Sequence, residues 1–129
     1  MKCALLLSAL LAGCTSVPAV PLAVSGEWGG ARVGLHLEVS GGTVDYDCAS
    51  GTIGPVIPDE AGRFMAKGTH SPGHGGPVRQ GEVIPSFDAE YRGTVSGDRM
   101  ILNVTIEPDT ALGPFTLRRG ATPELLRCL

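Results

Sequence analysis

From Phe87 to Ile106, apolar and polar residues alternate across one turn, with Ile101 the one large apolar residue on the polar side. Phe87, Ala89, Tyr91, Gly93 and Val95 share one side, and Asp88, Glu90, Arg92 and Thr94 the other. Gly97-Asp98 makes the turn, and Met100, Leu102, Val104 and Ile106 continue the apolar side. A side-chain period of two flanking a Gly-Asp turn predicts an antiparallel hairpin with one buried face. In that register Asp88 faces Glu107 on the outer side. A hairpin with one apolar face is not stable alone, so the rest of the chain must cover it.

The same alternation recurs upstream. Val33, Leu35, Leu37 and Val39 fall on one face, then Gly41-Gly42 reads as a two-residue loop, and Val44, Tyr46 and Cys48 follow. This loop would oppose Val39 to Val44, Leu37 to Tyr46 and Leu35 to Cys48, all apolar. On the polar side it would oppose His36 to Asp47 and Glu38 to Asp45. Shorter strands are expected at Thr52–Ile57, Arg63–Gly68 and Phe115–Arg118, with loops at Thr69–Ser86 and Pro108–Gly113. Thr122-Pro123-Glu124 carries the marks of a helix start, so one helical turn is expected there. Nineteen glycines and ten prolines suit short strands and many turns. The prediction is therefore an all-β fold, a small antiparallel barrel or sandwich of about six to eight strands.

The N-terminus has a different character. Lys2 precedes an apolar run, Ala4 to Ala12, that is too short to span a bilayer. Charged start, apolar stretch and small residues before a cut site describe a secretory signal peptide. Leu11-Ala12-Gly13-Cys14 resembles the lipobox of bacterial lipoprotein precursors. That resemblance implies cleavage after residue 13, acylation of Cys14, and attachment to a membrane of the cell envelope through the acyl chains. In such lipoproteins an Asp after the lipidated cysteine marks retention in the inner membrane. Thr15 stands there, so the resemblance implies an outer membrane facing the periplasm. Residues 1–13 are then the signal peptide, 14–25 an extended tether broken by Pro18 and Pro21, and 26–129 a single domain.

Loss of Lys2 leaves the mature chain one unit more acidic than the −3 of the whole. Without basic clusters, nucleic acid is not an expected partner. Of four cysteines, Cys3 leaves with the signal peptide and Cys14 takes the lipid. Cys48 and Cys128 remain, and in an exported chain the first expectation is a disulfide. It would close a loop of about 80 residues, worth roughly 4 kcal/mol in the chain-entropy account. A shared metal site or two thiols are the alternatives.

Four groups carry candidate chemistry. His70 and His74 have metal-ligand spacing, although Pro72 and Gly73 oppose the helix that would align them. The plainer reading is two histidines in a solvated loop. His36 and Asp47 would form an outer cross-strand pair responsive to pH. The pairs Glu38–Asp45 and Asp88–Glu107 would either splay into water or bridge a cation, and neither resembles a calcium loop. Gly26-Glu27-Trp28 gives G-x-W at the first strand, which resembles the opening of lipocalins, avidins and some small bacterial protease-inhibitor barrels. There the tryptophan plugs one barrel end; the plainer reading is a core tryptophan. No phosphate loop or G-x-S-x-G element occurs, and no cofactor is expected. The expectation is a non-enzymatic binding or interaction module with a small molecule or protein as its partner. An inhibitor of an envelope or exogenous hydrolase is the first alternative, and a histidine-based metal protein or enzyme the last.

Overall fold

The computed structural model describes residues 22–73, 80–81 and 83–126. Eight strands follow in chain order: β1 (Gly26–Gly30), β2 (Val33–Glu38), β3 (Gly41–Tyr46), β4 (Ala49–Ile53), β5 (Arg63–Pro72), β6 (Phe87–Ser96), β7 (Arg99–Ile106) and β8 (Thr110–Arg119). Each pairs antiparallel with the next, and β8 returns to β1 to close a barrel. The seam is short, running from Trp28↔Arg119 to Gly30↔Leu117. Closure removes the open edges that a flat sheet of this size would leave.

The alternating residues fill the interior. Val33, Val44, Val56, Tyr91, Met100, Leu102 and Leu117 have no exposed surface, and Trp28, Leu35, Leu37, Ile53 and Val104 nearly none. Burying each of the larger side chains contributes about 1.5–3 kcal/mol. The β6–β7 hairpin has the register read from its alternation: Ser96 pairs with Arg99 and Ala89 with Ile106.

The β2–β3 hairpin corrects the expected register. Its loop is Val39-Ser40, with Glu38 opposite Gly41, and Gly41-Gly42 lies inside β3. Leu37 therefore meets Gly42, Leu35 meets Val44 and Val33 meets Tyr46. The two glycines are needed in the strand itself. Gly41 sits at φ +116°, and a Cβ on Gly42 would run into the His36 carbonyl. The shift spans an even number of residues, so the side chains that stay paired keep their predicted faces, whereas Val39, expected inward, falls in the loop and is exposed. It moves Cys48 out of the strand and into the Asp47-Cys48 turn, where Cys48 takes φ +55°.

Four further segments differ from expectation. The strand predicted at Thr52–Ile57 is β4, Ala49–Ile53, so it starts three residues earlier and ends at Ile53. Thr69–Pro72 is strand where the sequence predicts a loop from Thr69 onward, paired with β4 throughout and with β6 at Thr69 and His70 only. The segment Thr110–Gly113 belongs to β8, which accommodates Gly113-Pro114 through a bulge opposite Leu102–Val104. No helical turn forms at Thr122-Pro123-Glu124. Residues 121–126 instead run as an extended strap on the outside of β1 and β2, with Glu124 bridged to Ala31. The strap lies over the outward pair Gly29↔Gly34, whose missing side chains make room for Ala121 and Pro123.

The two barrel ends are unlike. At one end the chain enters through residues 22–25, and Val24 N–H donates to Val56 O at 2.8 Å. Fully buried Val56 and half-buried Val24 cap this end. At the other lie the β1–β2, β3–β4 and β7–β8 turns and the β5–β6 connection, whose middle lies outside the described residues; among the described residues Phe87, Leu112 and Phe115 are partly exposed here, and this is called the open end.

Candidate site at the open end of the barrel

Tyr46, the last residue of β3, and His70 in β5 both point inward across β4. Between them β4 offers only small inward residues: Ala49 pairs with Tyr46, and Gly51 pairs with His70. The two rings meet over this gap with centroids 5.1 Å apart and planes tilted by 57°. Phe115 from β8 closes on Tyr46 from the far side, 6.1 Å between centroids. Both spacings lie in the attractive range for aromatic pairs. His70 is inward by its parity with Phe64 and Ala66 along β5.

Both rings carry polar atoms into an apolar wall. Tyr46 is 6% exposed and His70 8%, yet Tyr46 Oη and His70 Nδ1 have no hydrogen-bond partner among the described residues. The neighbouring Tyr91 hydroxyl donates instead to Thr69 O at 2.7 Å, occupying the space a side chain on Gly51 would take. An unpaired buried polar group costs about 1–3 kcal/mol, so two side by side in so small a core call for an explanation. Burial, and secondarily the adjacent Tyr91 hydroxyl, push the Tyr46 phenol far above its ordinary value. Burial holds His70 below its ordinary value. Both groups are neutral at pH 7.

A cleft of about 300 Å³ opens beside Tyr46 and Phe115, lined by Arg32, Tyr46, Asp47, Leu112, Gly113 and Phe115, and His70 does not border it. Its charged rim is internally matched. Arg32 Nε donates to Asp47 Oδ2 at 2.6 Å, and Leu126 N–H donates to Asp47 Oδ1 at 2.7 Å. The Arg32 side chain and the Leu126 amide hold the Asp47 carboxyl below its ordinary range.

Trp28 lies elsewhere, toward the capped end. Its indole Nε1–H donates to Ser25 O at 3.2 Å. The Arg119 guanidinium lies 4.5 Å over the Trp28 ring, donates to Ser25 O at 2.7 Å and reaches Asp98 Oδ1 at 3.2 Å. Indole and guanidinium thus tie the entering chain to the end of β8, and the tryptophan is packed as core.

The remaining candidates separate. His36 does not meet Asp47. It stands on the outer face with Nδ1 against Glu27 Oε2 and Nε2 3.3 Å from Glu38 Oε2. Those two carboxylates, Glu27 foremost, raise its pKa. Glu38 pairs with Gly41 and Asp45 with Gly34, so the expected Glu38–Asp45 opposition is absent. Glu107 N–H does donate to Asp88 O, and both residues border an outer cleft with Lys67. Among the described residues no three His, Cys, Asp or Glu side chains converge on a point that could hold a metal. Cys14, His74 and Cys128 lie outside the described residues, as do the signal peptide, most of the tether and the centre of the 69–86 segment. Cys48 is disulfide-bonded.

No family model, curated protein or solved structure matches this chain.

Proposed function

We propose that this protein is an envelope lipoprotein whose barrel is a binding module, with the open end as its ligand site. One observation carries the reading. Tyr46, Leu112 and Phe115 form the apolar part of a cleft of about 300 Å³ whose rim is the Arg32–Asp47 pair, a concave surface with a few polar groups of the kind that takes a ligand. The assignment is to binding rather than catalysis, and it requires no cofactor.

The anchor is Cys14, acylated as the lipobox resemblance implies, with Thr15 favouring the outer membrane. The chain from Cys14 enters the barrel at the capped end, beside Val56. The proposed Cys48–Cys128 bond fits this arrangement. Leu126, two residues from Cys128, donates its amide to Asp47, the neighbour of Cys48.

Native mass spectrometry of the full chain released from envelope membranes tests the site. The expected result is an organic adduct on the wild type that is lost in Leu112→Trp, which fills the cleft. Bare protein in both samples would refute it. For the anchor, Cys14→Ser is expected to abolish labelling by a fatty-acid probe and to free the protein from the membrane fraction.

A further inference from the structure

We propose that the capped end of the barrel is a membrane-contact face, with Leu22, Val39 and Ile57 seated in the lipid interface of the bilayer that holds Cys14. This rests on the lipid-anchor reading above and adds the surface that the anchored domain turns to the membrane.

Three chain segments meet at this end, and each leaves an apolar side chain in solvent. Leu22 is 80% exposed, Val39 71% and Ile57 47%. The contacts beneath them make them neighbours. Val24, two residues after Leu22, donates its N–H to Val56 O, next to Ile57. Gly41, two residues after Val39, lies so close to the end of β4 that a Cβ on it would stand 2.5 Å from Ile53 O. Buried Val56 and half-buried Val24 already fill the barrel end, so the core has no place for the other three. A lone apolar side chain on a surface is ordinary, whereas a group on adjoining loops at one end marks a contact surface. Arg119 is paired with Asp98 at 3.2 Å and Arg63 with Asp59 at 3.6 Å, so no basic cluster draws this face to anionic lipid. The attraction is apolar burial in the interface.

Apolar side chains are also exposed at the open end, Val83 and Leu126 among them, so exposure alone does not choose the face. The reach of the tether chooses it. Cys14 and Leu22 are eight residues apart. At about 3.3–3.6 Å per residue the tether spans at most about 26–29 Å. The ten residues of β6 make about 33 Å of strand, which at the tilt of small barrels stands about 25 Å high. Laying the open end on the bilayer would use nearly the whole reach of a fully stretched tether, against its conformational entropy. Laying the capped end there uses little of it.

Quenching of tryptophan fluorescence by brominated lipid tests this on the full chain, purified from membranes and reconstituted in phosphatidylcholine vesicles brominated along one acyl chain. The variants are Val39→Trp, Ile57→Trp and, in the β7–β8 turn of the open end, Asp109→Trp, each read against the wild type, whose only tryptophan is Trp28. Val39→Trp and Ile57→Trp are expected to be quenched and blue-shifted, and Asp109→Trp neither. Adding Leu22→Asp and Ile57→Asp to Val39→Trp is expected to remove the quenching and leave the chain on the vesicles, held by its acyl chains. Added phosphatidylglycerol or salt is expected to change little. Equal quenching at Val39 and Asp109, or quenching that needs phosphatidylglycerol and disappears in salt, would overturn the proposal. A fatty-acid probe on the same samples separates the two readings. An acylated chain that floats with the vesicles without quenching at Val39 or Ile57 loses the contact face and keeps the anchor. A chain that carries no acyl group loses both.

Discussion

His36 and Asp47 were expected to face one another, and the structure gives each a different partner and an opposite dependence on pH. His36 is held between Glu27 and Glu38, which raise its pKa above 6.5. A histidine whose pKa is higher folded than unfolded stabilises the fold below the unfolded value, and that contribution disappears as pH rises through the folded value. Asp47 is held below its ordinary 3.8, first by Arg32 and then by Leu126 N–H. Its contribution is present above the unfolded value and fades on acidification. His70 opposes His36 near neutrality. Burial lowers its pKa, so its folded state loses stability as pH falls below 6.5. The unfolding midpoint of His36→Gln, compared with wild type from about pH 5 to pH 9, isolates the His36 part. The wild-type advantage is expected at the acidic end and is expected to vanish at the alkaline end; an advantage that grows with pH would contradict the Glu27–His36–Glu38 arrangement. At the open end, Tyr46→Phe deletes a hydroxyl that has no partner. Stability is expected to hold or rise by up to about 1 kcal/mol, read from urea denaturation at constant slope. A loss above about 2 kcal/mol would show that the hydroxyl is satisfied within the fold.

Among the elements, the β6–β7 hairpin was fully legible in the sequence. Eighteen residues of alternation, broken only at Ile101, flank one turn signal, and nothing competes with Gly97-Asp98. The β2–β3 hairpin was legible in its faces but not in its register. Two adjacent glycines outrank Val39-Ser40 as a turn signal, although here they serve close backbone approach inside β3. The last residues of β5 were hidden for a related reason. Thr69, Ser71 and Pro72 read as loop composition, and only pairing with β4, joined by β6 at Thr69, makes them strand. His70 was noticed for its spacing to His74, whereas the signal that placed it was its parity with Phe64 and Ala66. Tyr46 was correctly read as inward, but its lack of a hydrogen bond depends on Ala49, Gly51 and Tyr91, which no local pattern relates. The strap at 121–126 could not be read at all, because its groove is the absence of side chains at Gly29 and Gly34. That groove is testable. A Cβ at Gly34 would stand 2.5 Å from Pro123 Cγ and 2.9 Å from Pro123 Cβ, so Gly34→Ala must lift the strap. The expected cost is about 1–3 kcal/mol. Hydrogen exchange should quicken at the Arg32 and Leu126 amides, whose acceptors are Glu124 O and Asp47 Oδ1, and stay slow at Tyr91 and Leu102. Unchanged exchange at Arg32 and Leu126 would mean the strap is not seated on that groove.

At the scale of the whole molecule the barrel is asymmetric by construction. One end is fastened by Trp28, Arg119, Ser25 and the Val24–Val56 contact, and it receives the chain that leads from Cys14. The other end gathers the rings of Tyr46, His70 and Phe115, a cleft of about 300 Å³ and two unpaired polar atoms. Fastening one end and leaving a cleft at the other suits the binding module proposed above. The most direct measurement is the set of intermolecular nuclear Overhauser contacts from naphthol, as a small aromatic probe, to the isotopically labelled protein. The expected contacts are to Tyr46, Leu112 and Phe115, with none to Trp28, Val24 or Val56. Contacts confined to the Trp28 end, or to the outer faces of the strands, would contradict it.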